Sequence, residues 1–333
     1  MFFNGALNAA RRPRFEAIHM LALLICSLTI VSQSRGAEER PADPKADACV
    51  RQLLHRLREN AGKKMLSGQT DYENIAWIEQ NTGKAPVILA LDFNGTPKRL
   101  GGHPEDVSTA LSWVKRGGVI AYQWHWVSPT KAHNRDKGFY TDGTDFDLST
   151  VLDYPEGDDY KQMLVDIDDV ATSLRALEKA KVSVLFRPLH EAQGGWFWWG
   201  AKGAEPCQKL YRLIFDRITQ VHHIHNVAWV WNVLPTSQNK GNPVDWYPGN
   251  DRVDVLATDY LQGKSDYDEL FKLCDGRKVI GLAETMNPPD PGASIAAGAP
   301  WAYWVTWARR DWNKKSAGDV IAAMRDPLTV TLP

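Results

Sequence analysis

The sequence predicts an α/β protein folded as a (β/α)8 barrel, the TIM-barrel architecture, on the strength of three observations. Short β-branched runs alternate with helical patterns along most of the chain, which is typical of a parallel sheet with helical crossovers. Eight such runs lie between residues 64 and 306, and this number and span favour a closed barrel over an open doubly wound sheet. No G-x-G-x-x-G or P-loop motif follows any of the runs, which weighs against a nucleotide-binding sheet.

The predicted strands are short apolar or β-branched runs, each followed by a polar or aromatic loop. In order along the chain they cover residues 64–67, 86–92, 119–125, 182–188, 227–233, 253–257, 279–283 and 302–306. The helical patterns between them cover residues 71–81, 104–116, 160–179, 207–222, 267–274 and 318–324. The longest interruption, residues 126–159, follows the third strand, is rich in Gly, Asp and Tyr, and is predicted to cover part of a site.

Residues 1–36 are typical of a secretory signal peptide. Three arginines precede an apolar run at residues 20–31, which is too short to span a membrane, and small residues suited to a cleavage site follow it. The polar, proline-containing residues 37–47 are predicted to be a linker, and residues 48–333 the single catalytic domain. We therefore expect a secreted or periplasmic protein that is free of the membrane once the signal is removed.

The composition excludes several classes of partner and site. The formal net charge is -1 at pH 7 and no block rich in Lys and Arg follows the N-terminal region, which argues against nucleic acid or an anionic membrane as the partner. The three cysteines after the predicted signal, Cys49, Cys207 and Cys274, allow at most one disulfide. Because the sequence has no C-x-x-C pair, a structural zinc site is not expected.

The most informative stretch is residues 187–199, with the sequence RPLHEAQGGWFWW, which begins where the fourth predicted strand ends. It places Arg187, His190 and Glu191 at a strand end and four aromatic residues shortly after them. A carboxyl group beside a flat apolar wall suits the cleavage of sugars, because sugar C–H faces stack on aromatic rings and the glycosidic oxygen needs a proton donor. The structural alternative is that Glu191 pairs with Arg187 across a turn and that the 14 tryptophans of the chain fill the core.

A second glutamate, Glu284, directly follows the seventh predicted strand. Function in a (β/α)8 barrel lies at the C-terminal ends of the strands, and strands four and seven stand on opposite sides of the mouth. The long side chains of Glu191 and Glu284 are therefore expected to meet across a bound sugar. Cleavage with retention of configuration needs such a pair, roughly 5–5.5 Å apart. Taken alone, Glu284 is also compatible with a solvated loop residue.

Polar and aromatic residues stand at the ends of every predicted strand, a pattern that packing alone does not require. Beyond the two glutamates they are Gly68, Gln69, Asp92, Asn94, Trp124, His125, Trp126, Arg187, His190, Trp231, Asn232, Asp259, Tyr260, Trp304 and Trp307. Trp231 and Trp304 fit packing at the barrel top as well as a site, and His125 and His190 fit core positions as well as an orienting role. The run His222-His223-Ile224-His225 is interpreted as an exposed helix terminus rather than a metal site.

Several motifs resemble those of glycoside hydrolase family 26, a retaining β-mannanase family. They are R-P-L-H-E at residues 187–191 with the G-x-W-F-W-W-G that follows, L-S-G-Q at 66–69, Trp124-His125, D-x-L-A-T-D-Y at 254–260, Glu284-Thr285 and W-V-T-W at 304–307. Together they extend over nearly all of the chain beyond the predicted linker. The resemblance implies a barrel with the acid/base after strand four and the nucleophile after strand seven.

The resemblance also assigns roles to individual residues. It implies that Glu191 is the acid/base and Glu284 the nucleophile, an assignment that spacing alone does not provide. His190 and His125 match residues that lie near the sugar at the −1 subsite. Trp196, five positions after Glu191, matches an aromatic platform at the scissile bond.

Two further substrate-binding residues are predicted. Tyr260 matches a tyrosine that hydrogen-bonds the nucleophile and fixes its orientation, and Trp304 is expected to contact the substrate. The sequence departs from the usual family pattern at Gln193, where Asn is common, and at Met286, where Gly is common. Both positions lie on loops that shape the subsites, so they bear on substrate preference and remove no catalytic group.

These observations predict a secreted, monomeric endo-1,4-β-mannanase that acts on mannan-type polysaccharides or oligosaccharides and needs no metal or organic cofactor. Two alternatives stay open. In the first, the same fold and mechanism act on another β-glycan, either β-1,3-xylan or mixed-linkage glucan. In the second, the barrel binds a polysaccharide without turnover. A binding protein has no need for two like charges facing each other in a desolvated cleft, which disfavours the second alternative.

Overall fold

The protein is a closed barrel of eight parallel strands, seen in a computed structural model that describes residues 40–102, 105–236, 241–259, 263–309 and 314–332. In chain order the strands are β1 (Gly68–Thr70), β2 (Ile88–Asp92), β3 (Val119–Gln123), β4 (Val184–Arg187), β5 (Val227–Asn232), β6 (Val255–Asp259), β7 (Val279–Thr285) and β8 (Trp304–Thr306). Each strand pairs with the next, and β8 pairs with β1 to close the barrel. The predicted (β/α)8 fold is therefore confirmed.

Helices connect the strands and surround the barrel. Among the described residues they are α1 (Ala48–Asn60), α2 (Glu73–Thr82), α3 (Glu105–Lys115), α4 (Leu148–Asp153), α5 (Asp158–Lys179), α6 (Ala204–Asp216), α7 (Lys264–Leu273), α8 (Pro291–Ala296) and α9 (Lys314–Arg325). A π-helical segment, Arg217–Val221, extends α6. Helix α6 illustrates why these segments are helical, because its buried residues recur at spacings of three and four and form one apolar face. They are Cys207, Leu210, Tyr211, Ile214 and Phe215.

The strands are buried on both faces, since helices cover the outside of the barrel and side chains fill its interior. Every residue of β5 (VAWVWN) and of β6 (VLATD) is buried. Among the residues that the structure describes, the fully buried tryptophans are Trp113, Trp124, Trp126, Trp198, Trp199, Trp229, Trp301 and Trp304. For these eight residues, the tryptophan content of the sequence reflects a packed core rather than a binding surface.

The first strand differs from its prediction. The apolar pair Met65–Leu66, inside the predicted range, belongs to a separate three-stranded sheet with Thr329–Leu332 and Ala85–Pro86. The barrel strand is the more polar β1 that follows it. A Cβ added at Gly68 would lie 2.6 Å from the backbone oxygen of Trp304, so the close approach of β8 requires glycine here. A three-residue strand that begins with glycine carries little β-branched signal, which explains the shift.

Residues 42–47, which the sequence assigns to the linker, pack against the barrel. The backbone N–H of Ala42 donates to Asp254 Oδ1 at 2.7 Å, and Asp43 Oδ2 lies 2.6 Å from His225 Nδ1. Because Asp43 and Asp254 are both buried, these contacts tie the segment to the end of the barrel where β6 begins. The packed domain thus starts before residue 48. The predicted signal peptide lies outside the described residues, among which no helix is long and apolar enough to cross a membrane.

Candidate active site

A cleft opens at the C-terminal ends of the strands and contains both predicted catalytic glutamates. Its lining residues come from β-strand ends and from the loops that follow them. They are Thr70, Asp71, Asp92, Asn94, Gln123, His125, Phe139, Tyr140, His190, Glu191, Trp196, Phe197, Glu284, Trp307 and Ala308. The structure therefore brings together five of the seven residues for which the sequence predicts a role: Glu191, Glu284, His125, His190 and Trp196.

The floor of this cleft is a layer of polar side chains at the last residues of neighbouring strands. Asp92, Gln123 and Arg187 are direct pairing partners across β2, β3 and β4. Asn232 and Asp259 end β5 and β6. Hydrogen bonds join the layer, from Gln123 Nε2 to Asp92 Oδ2 at 3.2 Å and from Asn232 Nδ2 to Asp259 Oδ1 at 3.0 Å. The closed parallel barrel places these side chains together because all eight strands end at one edge.

Glu191 is held in a turn of unusual backbone conformation just beyond β4. Leu189 and Glu191 have φ angles of 56° and 52°, in the left-handed region, which costs on the order of 1–3 kcal/mol for a residue other than glycine. The backbone N–H of Glu191 donates to Asn232 Oδ1 at 3.0 Å, so β5 supports the turn. Only 4% of Glu191 is exposed, and the strained turn sets the carboxyl group in the cleft wall instead of in solvent.

Trp196 folds back over the turn that carries Glu191. Its indole N–H donates to Glu191 Oε2 at 3.0 Å, and 38% of the residue remains exposed toward the cleft. Gly194 makes this fold possible, because a Cβ at that position would lie 2.0 Å from the Trp196 ring. Trp198 and Trp199, by contrast, are buried behind the cleft wall. The aromatic run of four thus divides into one exposed ring, Trp196, one nearly buried ring in the cleft lining, Phe197, and two rings in the core.

Arg187 connects Glu284 to Asp259. Arg187 Nη2 donates to Glu284 Oε2 at 2.6 Å and Nη1 to Asp259 Oδ2 at 3.0 Å, while Nη2 also contacts Gln123 Oε1. Burial by itself lowers the pKa of Arg187, but the two carboxylates outweigh it and raise the pKa. Burial also raises the pKa of Asp259, against the opposing effect of the guanidinium. The ion pairs of Arg187 are therefore with the strand ends across the barrel, whereas the sequence offered Glu191 as its structural partner.

The two predicted histidines contact each other and an aspartate. His125 Nδ1 lies 2.5 Å from Asp92 Oδ2, the backbone N–H of His125 donates to Asp92 Oδ1 at 3.0 Å, and His125 Nε2 lies 3.2 Å from His190 Nε2. Burial tends to lower the pKa of His125, but the Asp92 carboxylate prevails and raises it. Burial, together with the charges of Arg187 and His125, lowers the pKa of His190 well below its usual value. The pKa values of the two neighbouring imidazoles are thus shifted in opposite directions.

The long loop after β3 supplies an aromatic part of the wall, in agreement with the prediction for residues 126–159. Phe139 and Tyr140 line the cleft. The loop is joined to the Trp196 segment by hydrogen bonds from Thr141 N–H to the Trp196 carbonyl at 2.8 Å and from Trp198 N–H to the Phe139 carbonyl at 3.2 Å. The sequence did not single out Phe139 or Tyr140, because no local signal indicates which loop residues return to the site.

A column of three rings continues from this wall into the core. Tyr140 stacks on Phe197 with ring centroids 5.4 Å apart, and Phe197 stacks on Trp199 at 4.4 Å. Exposure falls along the column from 38% at Tyr140 to none at Trp199. The outermost ring is therefore supported from behind by packed aromatic side chains.

Two predicted substrate contacts are not found in the cleft lining. Trp304 is completely buried in β8, so its ring packs inside the barrel wall and the predicted substrate contact is corrected to a core role. Trp307, three residues further on, lines the cleft instead. Tyr260 lies outside the described residues. Away from the cleft, His222 Nε2 lies 2.6 Å from Asp168 Oδ1, so this histidine belongs to an ion-paired surface cluster.

Comparison with known proteins places this barrel in a family. The model of glycosyl hydrolase family 26 matches residues 42–332, which is most of the chain. The chain belongs to glycoside hydrolase family 26. The family match begins at Ala42, the residue at which the N-terminal segment starts to pack on the barrel. The resemblance inferred from the motifs is thereby confirmed.

Relatives of this family 26 chain are described as mannanases. It is 39% identical over 289 residues to a mannan endo-1,4-beta-mannosidase of Thermothelomyces thermophilus, covering 81% of this chain and 58% of that protein. It is 31% identical to mannan endo-1,4-beta-mannosidase B of a Piromyces species, covering 80% of this chain and 48% of that protein. The chain thus spans about half the length of these curated relatives.

Solved structures of family 26 members superimpose closely on the chain. The GH26-CBM35 beta-(1,4)-mannanase of Podospora anserina matches with a TM-score of 0.81 and 36% identity, covering 89% of this chain and 68% of that chain. A beta-mannanase from a symbiotic protist of the termite Reticulitermes speratus, complexed with gluco-manno-oligosaccharide, matches with a TM-score of 0.79 and 29% identity, covering 89% and 97% of the two chains.

Proposed function

We propose that this protein is a retaining glycoside hydrolase that cleaves β-1,4-mannosidic linkages within mannan-type polysaccharides. The observation that carries the proposal is that Glu191, after β4, and Glu284, on β7, line one cleft beside the partly exposed ring of Trp196. Retaining hydrolysis requires two carboxyl groups, and an aromatic ring beside them supplies a surface on which a sugar can stack. The relatives described as mannan endo-1,4-beta-mannosidases favour mannan as the substrate.

In the proposed reaction Glu284 is the nucleophile. Its Oε2 accepts the hydrogen bond from Arg187 Nη2, which leaves Oε1 to attack the anomeric carbon and form a covalent glycosyl-enzyme. Glu191 protonates the leaving glycosidic oxygen, and in the second step it takes the proton of the incoming water. No metal ion or organic cofactor takes part in either step.

The surrounding residues position the sugar in this proposal. Trp196 stacks on a sugar ring at the scissile bond while its N–H holds the Glu191 carboxyl group in place. His125 and His190, which also line the cleft, contact the hydroxyl groups of the sugar at the −1 subsite. Tyr260, which follows β6 in sequence, orients Glu284.

The proposal is tested with purified protein and linear β-1,4-mannan, measured as new reducing ends. Wild type is expected to release oligosaccharides, while Glu284→Ala and Glu191→Ala are expected to lose at least 10³-fold in kcat. Glu79→Gln is the matched control, because Glu79 forms an ion pair with Arg116 on the outer surface and is expected to leave kcat unchanged. Absence of turnover by wild type above the Glu284→Ala background would overturn the proposal.

Leaving-group chemistry separates the roles of the two glutamates. An aryl β-mannoside with an acidic phenol needs no proton on its leaving oxygen, so Glu191→Ala is expected to form the glycosyl-enzyme from it at a rate near that of wild type. Glu284→Ala is expected to remain inactive on the same substrate, since it lacks the nucleophile. Equal loss in both variants would contradict the assignment.

The same preparations distinguish the alternative functions. Preferential release from β-1,3-xylan or mixed-linkage glucan would replace mannan with that polysaccharide as the substrate. Retardation in a mannan affinity gel with turnover at background would show a binding protein. Product analysis on mannohexaose reports whether cleavage occurs inside the chain or from one end.

We also propose that the mature protein is exported and monomeric. The support for export is the signal-like composition of residues 1–36. N-terminal sequencing of protein recovered from the medium or periplasm tests export, and a mature N-terminus near Ala37 is expected. Sedimentation equilibrium tests the monomer, and a mass of two chains would contradict it.

A further inference from the structure

A chain of three side chains, Asp92, His125 and His190, runs along the cleft wall from β2 to the turn after β4. We propose that Asp92 is a positioning residue that holds His125 in its charged form and thereby fixes the proton arrangement of the His125–His190 pair. Asp92 acts through His125 and does not itself need to touch the reacting atoms. Only the kinetic consequence of this proposal depends on the proposed hydrolase function.

The geometry allows only one proton between the two rings. Their Nε2 atoms lie 3.2 Å apart, so one ring donates and the other accepts. At the far side of His125, Nδ1 faces a carboxylate oxygen at 2.5 Å and must carry a proton to make that bond favourable. These contacts alone do not determine which of the two rings carries the shared proton.

Two arrangements satisfy these contacts while His190 remains uncharged, which its burial beside the Arg187 cation favours. In the first, His125 is a cation that donates from both nitrogens, and His190 accepts at Nε2 and carries its own proton on Nδ1. In the second, His125 is neutral and accepts at Nε2, and His190 donates from its own Nε2. The second arrangement holds one proton fewer, so rising pH converts the first into the second and moves the proton of His190 from Nδ1 to Nε2.

Asp92 favours the first arrangement by its charge and by its fixed position. It is held by four groups, since it also accepts from the backbone N–H of Asn94 at 2.9 Å, from the backbone N–H of His125 and from Gln123 Nε2. Its carboxylate therefore cannot turn away from the His125 ring. Such fixed contact with a carboxylate raises the pKa of an imidazole by stabilising its charged form.

The other charged groups around His125 do not alter this assignment. They are Arg187 on β4, whose cation opposes a charge on His125, and Glu284 on β7, whose carboxylate favours it. His190, from the turn after β4, is buried near Arg187, and both its burial and the Arg187 cation lower its pKa and so disfavour a charge on its ring. Phe139 and Phe197 complete the surroundings of the His125 ring with apolar edges. Asp92 is the carboxylate in direct contact, so it decides the charge.

The charge of the pair matters because both rings line the cleft that also contains the two glutamates. In the first arrangement a bound sugar meets a cationic His125, and in the second it meets a neutral ring with a different set of N–H groups. We expect the alkaline limb of the activity to follow the conversion between the two arrangements.

The experiment compares wild type with Asp92→Asn, an isosteric variant without the charge, and Asp92→Glu, which restores it. Imidazole ¹⁵N resonances, assigned with His125→Gln and His190→Gln, are followed from pH 5 to 9 without substrate. Asp168→Asn is the matched control, because Asp168 contacts His222 at 2.6 Å on the outer surface, remote from the cleft. The titration midpoint of His125 is expected to fall by about one to three pH units in Asp92→Asn and to stay in place in Asp168→Asn.

Kinetics provide the second measurement. The alkaline limb of kcat on mannan is expected to move to lower pH by the same interval as the NMR midpoint, with a smaller change in KM, and Asp92→Glu is expected to recover part of the shift. An unchanged His125 midpoint in Asp92→Asn, or a neutral His125 in wild type at pH 6, would overturn the proposal. Because the NMR titration needs no turnover, it decides the role of Asp92 even if wild type proves inactive on mannan.

Discussion

The indole N–H of Trp196 donates a hydrogen bond to Glu191 Oε2 at 3.0 Å, so one side chain both presents a ring to the cleft and holds the proposed acid/base. These two tasks can be separated by substitution. Trp196→Phe keeps an aromatic face and loses the donor. Trp196→Ala loses both.

We predict that Trp196→Phe lowers kcat on the order of 10- to 100-fold, the equivalent of one hydrogen bond to a charged group, with little change in KM. Trp196→Ala is expected to raise KM as well, because the stacking surface is gone. Steady-state kinetics on mannohexaose measure both effects. The same large rise in KM in Trp196→Phe would show that the hydrogen bond serves binding rather than the chemical step.

A substitution at Gly194 tests the contact between Trp196 and Glu191 without changing either side chain. A Cβ at Gly194 would overlap the Trp196 ring, so Gly194→Ala is expected to displace the ring and to lower kcat as Trp196→Phe does. Gly318→Ala is the matched control, because a Cβ there meets no atom within 4 Å and lies in helix α9. That variant is expected to gain about 0.5–1 kcal/mol in unfolding free energy and to keep its activity. Full activity in Gly194→Ala would contradict this prediction, because it would show that catalysis does not depend on the position of the Trp196 ring.

Arg187 is predicted to be required for both stability and rate. Arg187→Met leaves the carboxylates of Asp259 and Glu284 without their cation, and the unfolding free energy is expected to fall by about 3–5 kcal/mol. Arg187→Lys keeps the charge but cannot reach both carboxylates in the same geometry, and kcat is expected to fall on the order of 10²-fold. Urea unfolding and steady-state kinetics measure the two effects.

The control for Arg187 is Arg217→Lys, since Arg217 binds Asp168 through two nitrogens on the outer surface. Arg217→Lys is expected to lower the unfolding free energy slightly and to leave kcat unchanged. If Arg187→Lys behaves in the same way, the contact between Arg187 and Glu284 does not position the nucleophile.

We predict that the buried carboxyl group of Asp254 makes the unfolding free energy of the protein depend on pH. This aspartate is 2% exposed, and burial raises its pKa to about 6 from the usual 3.8. A carboxyl group with a raised pKa in the folded state stabilises that state most below pH 4, and the contribution is lost as the pH rises through 6. The difference of about two pKa units corresponds to about 3 kcal/mol.

The unfolding free energy of wild type, measured relative to Asp254→Asn, is therefore expected to decline between about pH 4 and pH 6 and to stay level above that range. Asp145→Asn, at a largely exposed position, serves as the control and is expected to show no such decline. Parallel profiles for wild type and Asp254→Asn would contradict the buried, raised-pKa state of this residue.

Much of the barrel was predictable from the sequence because its strands are buried on both faces. Such strands leave continuous apolar runs, as in residues 227–233, and the polar residues that end them stand out. Glu191 and Glu284 were identified in the same way, as polar residues that follow an apolar run. The exception was β1, whose role depends on the close approach of the Trp304 backbone to Gly68, a contact that the local sequence does not record.

Partners across the barrel were not predictable. Arg187 has a glutamate four positions further along, yet its ion pairs are with Asp259 and Glu284, which closure of the barrel brings to the same edge. The sequence placed Trp304 among the residues at strand ends, but it is the first residue of β8, away from the edge that forms the cleft, and its ring is completely buried. Which face a short strand presents depends on pairing register, and sequence patterns of three residues do not specify it.

The column of Tyr140, Phe197 and Trp199 has a thermodynamic consequence. A ring backed by buried aromatic neighbours has few rotamers to lose when a ligand arrives, so little of the binding free energy is spent on ordering the wall. Calorimetry of oligosaccharide binding to the inactive Glu284→Ala variant is therefore expected to show a modest entropic cost on the protein side. Opening the column with Phe197→Ala would increase that cost and weaken affinity even though Tyr140 itself is retained.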